Sequence, residues 1–407
     1  MADTLTIHFI NDCDNFRKGT YYRLHNLAIA LTKLGQKVTV FTTDTRPGIR
    51  DREELRDGVL YRIISVSSYG IPHKIGALRQ CFVDYPACDV AHLFQPLLSQ
   101  ALAWWFNQSR KAKVLFYDWD DLLVSDSDPF SFIGSNVSFQ STLLTRLKSR
   151  ESLVNSVRSL VIYQLQNILP SKADHVTTCS HFLKNLAYSK EARKVTVLYN
   201  GTWPFSTPDK QQAREKLGLD KDGLYFGLMG NSYGLDSWCL QALKENCQQD
   251  PRLRLALCGP YYTKEGLSEM DEEIQHRVDI LGLLSPEAAR DFAAAIDVGL
   301  LPLNDSLFHQ SRFPMKFAEY LGSGTPILCS SVGECIQLGN DLPFVFKAGK
   351  TCKEFVAASS KVVDLMKTNS LPEVGQNKVQ QLFSWNSITK ELLNSYYKEL
   401  NSKEVSR

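Results

Sequence analysis

The sequence predicts an α/β protein of two tandem Rossmann-like, doubly wound domains that face each other across a cleft. Short apolar runs rich in β-branched residues alternate with stretches of helical spacing along most of the 407 residues. The alternation breaks at a polar stretch with two prolines and then restarts, which indicates a second domain of similar size. Strands separated by helices pair in parallel through crossovers, and such open sheets bind ligands where their strands end.

The first half begins with a strand over residues 5–10, followed by a helix over residues 21–34. Leu24, Leu27 and Leu31 recur at helical spacing on one face of that helix, and a glycine follows its end. The remaining strands predicted in this half are residues 38–43, 60–66, 90–94, 114–117, 175–178 and 195–198.

The second half repeats the pattern and closes with a helix. Its predicted strands are residues 225–229, 253–257, 278–281, 298–301, 326–329 and 344–346. Its predicted helices are residues 235–245, 286–295, 315–321, 352–366 and 387–400. The predicted organisation is an N-terminal domain over residues 1–201, a linker over 202–222, a C-terminal domain over 223–384 and a final helical segment over 385–407.

Composition and charge narrow the class of protein. Lys and Arg total 46 against 44 Asp and Glu, so the chain lacks the basic excess of a dedicated nucleic-acid binder. Ten scattered cysteines without zinc or redox spacing favour buried, reduced thiols. The chain opens on a strand rather than a leader, and no apolar stretch reaches the ~18 residues of a membrane span. We therefore expect a cytoplasmic protein, peripheral on a membrane at most; the sequence leaves the oligomeric state open.

Residues 130–169 predict a helical insertion in the N-terminal domain. Arg146, Lys148, Arg150 and Arg158 lie there among leucines and valines. One interpretation is an insertion whose charges are solvated, and the other is an amphipathic face that meets a lipid acceptor or a membrane surface. An acidic residue and many serines dilute the basic face and favour the first interpretation.

Residues 312–326 carry the most specific chemical signal. Pro314 suits the first turn of a helix, and the free N–H groups and dipole of such a turn attract phosphate. Lys316 adds an ammonium in the same turn. Glu319 follows one turn later on the same face, where its carboxylate can accept both hydroxyl protons of a ribose. An ordinary amphipathic helix with a surface salt bridge between Lys316 and Glu319 explains the spacing equally well.

This segment resembles the donor-binding motif of the retaining glycosyltransferases of the GT-B fold, family 4 (glycosyl transferases group 1). In that family a Pro-x-Lys-x-x-Glu helix precedes a Gly-x-Pro strand, as Pro314, Lys316, Glu319, Gly324 and Pro326 do here. The resemblance implies the GT-B fold, with Glu319 binding the ribose and Lys316 the diphosphate of a nucleotide-sugar.

Other stretches extend the resemblance over most of the chain outside residues 130–169. They are residues 35–40, 175–180, 197–201, 278–282, 294–303 and 383–385. The resemblance implies contacts with the nucleotide base through the backbone of Leu281 and Gly282. It also implies donor-phosphate contacts near Gly19, the one residue that matches the Gly-rich loop of the family, and a final helix that crosses back to the first domain.

The position eight residues before Glu319 departs from the family pattern. Members often carry a glutamate there that touches the donor sugar, whereas this chain has Ser311. The identity of the sugar is therefore left open.

The loop after the first strand of the second domain departs as well. It contains Gly230 and Asn231, which the resemblance places at the donor, but not the Arg and Lys that the family often has there. Arg312 and Lys316 are then left to supply the positive charge that phosphate departure needs.

Three aspartates, Asp118, Asp120 and Asp121, follow a strand of the first domain at an edge that faces the predicted cleft. Asp118 and Asp120 could bind a divalent metal, as in the single-domain GT-A class, but a two-domain chain does not fit that class. One aspartate could instead orient or deprotonate the acceptor hydroxyl, or Asp120 or Asp121 could cap the following segment. We expect Asp118 to contact the acceptor as a catalytic residue, and we expect no metal site.

Two histidines are weaker candidates. His92 lies at another strand end, where it either approaches the acceptor or is structural. His25 lies on the first helix and is interpreted as a polar residue beside the cleft.

These features predict a hexosyltransferase-type enzyme. The donor is expected to be a UDP- or GDP-sugar, the acceptor a hydroxyl of a glycan, glycolipid or small molecule, and no further cofactor is required. The resemblance implies retention of configuration, which suits a front-face route in which Lys316 and Arg312 stabilise the departing diphosphate. The alternatives are a nucleotide-sugar epimerase on the same fold and a non-catalytic relative that binds a nucleotide-sugar or glycan.

Overall fold

The computed structural model describes residues 4–11, 19–44, 50–65, 86–96, 111–133, 150–203, 208–230, 234–263 and 272–405. The chain divides into two compact units, Met1–Tyr199 with Trp385–Arg407, and Asn200–Ser384. Each unit is built around a mostly parallel sheet flanked by helices, which confirms the predicted fold class.

The strands and helices of the described residues are numbered in chain order. The strands are β1 (Thr6–Ile10), β2 (Lys37–Asp44), β3 (Arg52–Arg56), β4 (Val59–Ser65), β5 (Cys88–Phe94), β6 (Ala112–Trp119), β7 (Val124–Ser125), β8 (Asp128–Phe132), β9 (His175–Thr178), β10 (Val195–Val197), β11 (Leu224–Met229), β12 (Leu253–Cys258), β13 (Val278–Gly282), β14 (Val298–Leu301), β15 (Ile327–Ser330) and β16 (Val345–Ala348). The helices are α1 (Gly19–Lys33), α2 (Arg150–Lys172), α3 (His181–Ser189), α4 (Lys210–Leu217), α5 (Asp236–Asn246), α6 (Glu272–Gln275), α7 (Pro286–Ala295), α8 (Leu307–Ser311), α9 (Met315–Gly322), α10 (Glu334–Asp341), α11 (Cys352–Lys367), α12 (Gln376–Phe383) and α13 (Trp385–Val405).

The first unit contains an eight-stranded sheet in the order β10-β9-β6-β5-β1-β2-β4-β3. Its neighbouring strands are parallel, except that β3 runs antiparallel to β4. Strand β3 was not predicted, because Arg52–Arg56 is polar except for the exposed Leu55 and alternates only between half-buried and exposed side chains. The turn between the two strands had a sequence signal, the pair Asp57-Gly58. Both residues have positive φ, as a two-residue type I′ hairpin requires.

The final helix α13 belongs to the first unit and packs against α1 and β6. Its Glu399 is nearly buried and accepts hydrogen bonds from Lys194 Nζ at 2.9 and 2.8 Å. Nδ1 of His175 lies 3.1 Å from the same carboxylate. Lys403 Nζ lies 2.6 Å from the Asp174 carboxylate. These contacts tie α13 to the strands at one side of the first sheet.

The second unit contains a six-stranded parallel sheet in the order β13-β12-β11-β14-β15-β16. The chain leaves β11 towards β12 and β13 and then returns to the other side of β11 with β14. The strand order therefore reverses between β11 and β14, and ligands of doubly wound sheets bind at the carboxyl ends of the strands beside such a reversal.

The core of the second unit lies between this sheet and helices α5 and α11. Leu243 on α5, Leu255 on β12 and Phe355 on α11 are completely or almost completely buried in it. Burying each side chain of this size stabilises the fold by about 1.5–3 kcal/mol before entropy is counted.

No helix within the described ranges is long and apolar enough to span a bilayer.

Candidate functional site

The carboxyl ends of β11 and β14 diverge, and this opens the point where the strand order reverses. β11 pairs with β14 only at Phe226 and Gly227, whereas it continues beside β12 as far as Met229. Helix α9 follows β14 in the chain after the short helix α8. The candidate site is built from these strand ends and from the first turn of α9.

Pro314 is the N-cap of α9, whereas the sequence predicted it in the first turn of the helix. Its φ of −64° and ψ of 121° are extended, and its carbonyl accepts a hydrogen bond from Phe317 N at 3.0 Å. No side chain caps this end of the helix. The carbonyl of Phe313, just before it, accepts a hydrogen bond from the Asn200 amide at 3.0 Å. The entry to α9 is thus held through its backbone.

Lys316 and Glu319 form an ion pair on α9. The distance from Lys316 Nζ to Glu319 Oε2 is 2.6 Å, and the two side chains are 33% and 21% exposed. A helical pair at this spacing that solvent still reaches contributes only ~0.2–0.5 kcal/mol. Both groups are therefore accessible, and little free energy holds them to each other.

Gly230 brings the end of β11 against Lys316. A Cβ at Gly230 would lie 3.2 Å from Lys316 Cε, and φ at Gly230 is +89°. A side chain at this position would therefore be strained and would crowd the lysine. Asn231, the next predicted donor contact, lies outside the described residues.

The ends of β11, β12 and β13 are joined through glycines. Gly230 donates its N–H to Cys258 O at 2.7 Å and accepts from the Tyr262 hydroxyl at 2.8 Å. Gly259 donates to Gly282 O at 2.8 Å, and a Cβ at Gly259 would lie 3.0 Å from Gly230 O. The structure therefore brings the predicted residues Gly230 and Gly282 into one glycine-lined edge.

Leu281 lies in β13 just before Gly282 and is half-buried. Cys258 lies at the end of β12, where burial and neighbouring charges change the pKa of its thiol. Burial raises the pKa of its thiol to about 11, although the Lys316 ammonium lowers it. The thiol is therefore protonated at neutral pH and offers no nucleophile.

Arg312 ends helix α8 and is half-buried. The centre of its guanidinium lies 4.6 Å from the centroid of the Phe308 ring, a cation–π distance. Ser311, in place of the family glutamate, is buried and donates a hydrogen bond to Phe308 O at 3.2 Å. This stretch is therefore organised around Phe308.

Gly333 is a neighbour that the sequence analysis missed. It is the N-cap of α10, has φ of +53°, and a Cβ there would lie 2.9 Å from His309 O in α8. The glycine lets the loop after β15 approach α8 closely. The residue after it, Glu334, is nearly buried in the first turn of α10. A glycine between an apolar strand and a helix was the signal available in the sequence.

Asp118 is completely buried in the first unit. Its carboxylate accepts two hydrogen bonds from Arg23 at 3.0 Å and one from Thr177 Oγ1 at 2.6 Å. Burial opposes the charge of Arg23, but Asp118 outweighs it, so the pKa of the guanidinium is raised. The predicted contact of Asp118 with an acceptor therefore has no solvent-facing carboxylate to support it.

Arg23 was missed although the sequence held a signal for it. It lies four residues before Leu27, on the apolar face of α1, where an unpaired cation is not tolerated. Its third contact is a hydrogen bond to Tyr199 O at 3.1 Å. The pair thus joins α1, β6 and the end of the first stretch of this unit. Gly19 is the first residue of the same helix.

The remaining aspartates are held by their neighbours. Asp120 is nearly buried, and its carboxylate accepts a hydrogen bond from the Gln95 amide. Its backbone carbonyl accepts a hydrogen bond from the Cys179 thiol at 2.9 Å. The backbone carbonyl of Asp121 accepts a hydrogen bond from the Trp119 indole at 3.1 Å. Asp120 is the carboxylate that lies just beyond the end of β6.

His92 is enclosed in the core. Its ring nitrogens lie 2.6 Å from the Tyr396 hydroxyl and 3.2 Å from Thr177 Oγ1. Burial lowers the pKa of His92 to about 3, so the ring is neutral at ordinary pH. Of the two roles that the sequence left open for His92, these contacts fit the structural one.

His25 connects α1 to the β3–β4 hairpin. Its Nδ1 lies 2.7 Å from the Tyr61 hydroxyl and its Nε2 lies 3.0 Å from Asp57 Oδ2. Burial lowers the pKa of His25, although Asp57 raises it.

Helix α2 covers the described part of the predicted insertion. Leu153, Val157, Val161 and Ile168 are exposed and recur on one face of it. The centre of the Arg158 guanidinium lies 5.7 Å from the Phe132 ring centroid. Residues 134–149, with Arg146 and Lys148, lie outside the described residues, and nothing is described of the Arg150 side chain.

In the part of the chain that the structure describes, no three His, Cys, Asp or Glu side chains are grouped so that they could hold a metal ion.

Comparison with solved structures defines the fold. The chain resembles sucrose-phosphate synthase from Thermosynechococcus elongatus with a TM-score of 0.73 and 17% identity, over 98% of this chain and 100% of that one. It resembles HepE from Anabaena in complex with UDP with a TM-score of 0.65 and 15% identity, over 97% of this chain and 100% of that one. These likenesses show the GT-B fold.

Comparison of sequences supports the family. The family described as "Glycosyl transferases group 1" matches residues 220–364, which include the strand ends and α9 of the candidate site. The chain is 22% identical over 284 residues to the "Putative teichuronic acid biosynthesis glycosyltransferase TuaH" of Bacillus subtilis (strain 168), covering 68% of this chain and 67% of that protein. Both findings support an enzyme that transfers sugars.

Proposed function

We propose that the protein binds a nucleotide-sugar at the carboxyl edge of its second sheet and transfers the sugar to a hydroxyl acceptor with retention of configuration. The observation that carries the proposal is the placement of Lys316 and Glu319 beside Gly230, where β11 and β14 diverge. An ammonium and a carboxylate one turn apart, next to a glycine-lined edge, suit a diphosphate and a ribose diol.

In this proposal Lys316 binds the diphosphate and Glu319 the ribose. The uncapped N-terminus of α9 leaves its first N–H groups for an anion, and the helix dipole adds to their attraction. On binding, the ammonium exchanges Glu319 for phosphate oxygens, which frees the carboxylate for the ribose hydroxyls. The exchange costs little because the pair is partly exposed.

Arg312 is proposed to stabilise the diphosphate as it leaves. Its guanidinium lies over the Phe308 ring, and this contact restricts the orientation of the charged group. The glycine-lined edge at Gly230 and Gly282 lets phosphate and base approach the backbone closely. The leaving phosphate oxygen is proposed to take the acceptor proton.

The donor is proposed to be a UDP- or GDP-hexose. HepE, which shares the fold, has been solved in complex with UDP and with UDP-glucose. Ser311 withholds the carboxylate that would otherwise indicate the sugar, so donor specificity is the first property to measure.

The acceptor is proposed to meet the carboxyl edge of the first sheet. Asp118 enters this proposal as a residue that fixes α1 and β6, because its carboxylate is enclosed by Arg23 and Thr177. Asp120, beyond the end of β6, is the aspartate proposed to border the acceptor.

A thermal-shift panel of UDP-, GDP-, ADP- and dTDP-sugars, each with and without Mg²⁺, tests the proposal. A ligand that binds only the folded protein raises the melting temperature by mass action. We expect one nucleotide class to do so, and transfer to a glycan panel with that donor to follow. A donor converted to its epimer without any acceptor would instead identify an epimerase, and no shift with any nucleotide would reject the donor site.

A non-catalytic relative is the second candidate, and Ser311 favours it. The serine is buried and bonded within α8, so it offers no group to the donor sugar. Donor binding without turnover across a broad acceptor set would establish this candidate.

We also propose peripheral membrane contact through α2. Its exposed aliphatic face is flanked by the exposed Arg158 and Lys172, a combination that suits an anionic lipid surface. Cosedimentation with anionic vesicles should decrease when Val157 and Val161 are both changed to Ser, and unchanged binding would reject the contact.

A further inference from the structure

The contact that holds α9 to β11 is made by a side chain to which neither the sequence nor the proposed function assigns a role. Tyr320 follows Glu319 and is completely buried. Its hydroxyl accepts a hydrogen bond from Met229 N at 2.8 Å and donates one to Gly227 O at 3.3 Å. Both partners are backbone groups of the last three residues of β11.

The Tyr320 hydroxyl takes the place of a hydrogen-bond partner on the neighbouring strand β14. Regular pairing between β11 and β14 ends at Gly227 and Gly299, so the amide of Met229 has no partner on β14. Burying that amide without a partner would destabilise the fold. Tyr320 satisfies it from the helix, and the two strands can therefore diverge without leaving an unpaired group at the reversal.

Gly299 provides the space for the ring. A Cβ at Gly299 would lie 2.6 Å from the Tyr320 ring, closer than side chains approach one another. The ring therefore passes over β14 at its glycine and reaches β11. A helix residue, a strand glycine and an amide of a second strand thus form one joint.

The joint aligns the proposed ligands. Lys316 and Tyr320 are four residues apart and lie on the same side of α9. Tyr320 bonds to Met229, and Lys316 packs against the next residue, Gly230. Met229, the last residue of β11, and Gly230, the residue after it, therefore contact two residues of α9 that are one turn apart. This double contact fixes both the position and the rotation of the helix at the strand end.

We propose that Tyr320 is a positioning residue, whose hydroxyl sets the placement of Lys316 and Glu319 for the nucleoside diphosphate. This inference rests on the proposed function. It adds that nucleotide affinity depends on a buried hydroxyl that does not touch the nucleotide.

The test compares Tyr320→Phe with Tyr225→Phe. Tyr225 is also fully buried and lies in the same strand, β11, at its amino end. Its hydroxyl accepts from Asp220 N at 3.0 Å and donates to Asp279 Oδ2 at 3.0 Å. Each change removes one hydroxyl and leaves one backbone amide without it, so both should lower the melting temperature by about 2–4 °C. A common loss of stability is thereby separated from a loss of alignment.

Calorimetric titration with UDP and GDP measures the alignment. We expect Tyr320→Phe to weaken binding of the nucleotide that binds wild type roughly tenfold, since misplaced groups lose most of their interaction, whereas Tyr225→Phe stays within about twofold. The sharper readout is a double-mutant cycle with Lys316→Ala. Lys316→Ala should weaken nucleotide binding less in the Tyr320→Phe background than in wild type. In the Tyr225→Phe background it should weaken binding by the same factor as in wild type.

The outcomes separate this inference from the proposed function. If wild type binds neither nucleotide, or Lys316→Ala leaves binding unchanged, the donor site itself is rejected and the inference with it. If Lys316→Ala abolishes binding while the two Tyr→Phe variants behave alike and the cycle is additive, only the positioning role is rejected. Gly299→Ala provides a second route, because it displaces the ring while keeping the hydroxyl. It should reproduce the effect of Tyr320→Phe, and wild-type affinity in a folded Gly299→Ala protein would overturn the inference.

Discussion

The two sheets hold the charged residues associated with their carboxyl ends in opposite environments. Associated with the second sheet, Lys316 and Glu319 pair with each other while 33% and 21% of their side chains remain exposed. Associated with the first sheet, Arg23 and Asp118 pair at 3.0 Å with both side chains fully buried. The partly exposed pair can exchange its partners for a ligand, and the fully buried pair cannot.

The difference assigns separate tasks to the two edges. A partly exposed helical pair contributes a few tenths of a kcal/mol, so little stability is lost when its residues bind a ligand instead. Breaking a buried pair by removing one partner costs about 3–5 kcal/mol, because the other charge is left uncompensated. Lys316 and Glu319 therefore suit binding, whereas Arg23 and Asp118 stabilise the unit that carries them.

The largest expected effect is on stability, from Asp118→Ala. The change leaves the Arg23 guanidinium buried without its carboxylate and should lower the free energy of unfolding by about 3–5 kcal/mol. Urea denaturation measures it. The double variant Arg23→Met with Asp118→Leu removes both charges and should recover most of the loss. A single variant as stable as wild type would contradict the buried pair.

The next effect is on binding, from Lys316→Ala and Glu319→Ala. Each should weaken the affinity for the nucleoside diphosphate roughly tenfold, about 1.4 kcal/mol. Each should change the free energy of unfolding by at most about 0.5 kcal/mol. Calorimetric titration and thermal melting measure the two quantities.

Lys367→Ala is the matched control for the lysine. Lys367 is also 33% exposed and pairs with Asp364 at the same spacing on α11. Nucleotide affinity should survive this change, and an equal loss in both lysine variants would remove the distinction between Lys316 and any surface lysine.

A further effect is a pH dependence in the first unit. Unfolded His92 takes up a proton near its ordinary pKa of 6.5, whereas the folded ring does so only near about 3. The contribution to stability is complete above pH 6.5 and is lost as the pH falls towards 3, with a slope of up to about 1.4 kcal/mol per pH unit. Unfolding free energies of wild type and His92→Gln, measured between about pH 7 and about pH 5, should diverge by this slope. Parallel curves would show that His92 is not the titrating group.

Much of the fold could be predicted from local pattern. Apolar runs such as β11 and β14 are continuous because both faces of a parallel strand are covered, and that signal is legible in one dimension. The edge strand β3 has no such signal, since neither face of it is buried. It forms because the Asp57–Gly58 turn returns the chain along β4.

The candidate site could be predicted only in part. Lys316 and Glu319 stand out because their spacing equals one helical turn. The partners of that helix could not be read, because Tyr320 contacts Met229, ninety-one positions away in sequence. The burial of Asp118 could not be predicted either. An aspartate after a strand has the same local sequence whether its carboxylate faces solvent or a buried arginine.

The sequence by itself determined the alternation of strands and helices, the GT-B class and the charged helix α9. These depend on periodicity and on neighbours within one turn. Tertiary structure alone decided that Asp118 is enclosed by Arg23 and that Tyr320 joins α9 to the end of β11. Burial and hydrogen-bond partners are properties of residues far apart in the chain, so no local pattern carries them.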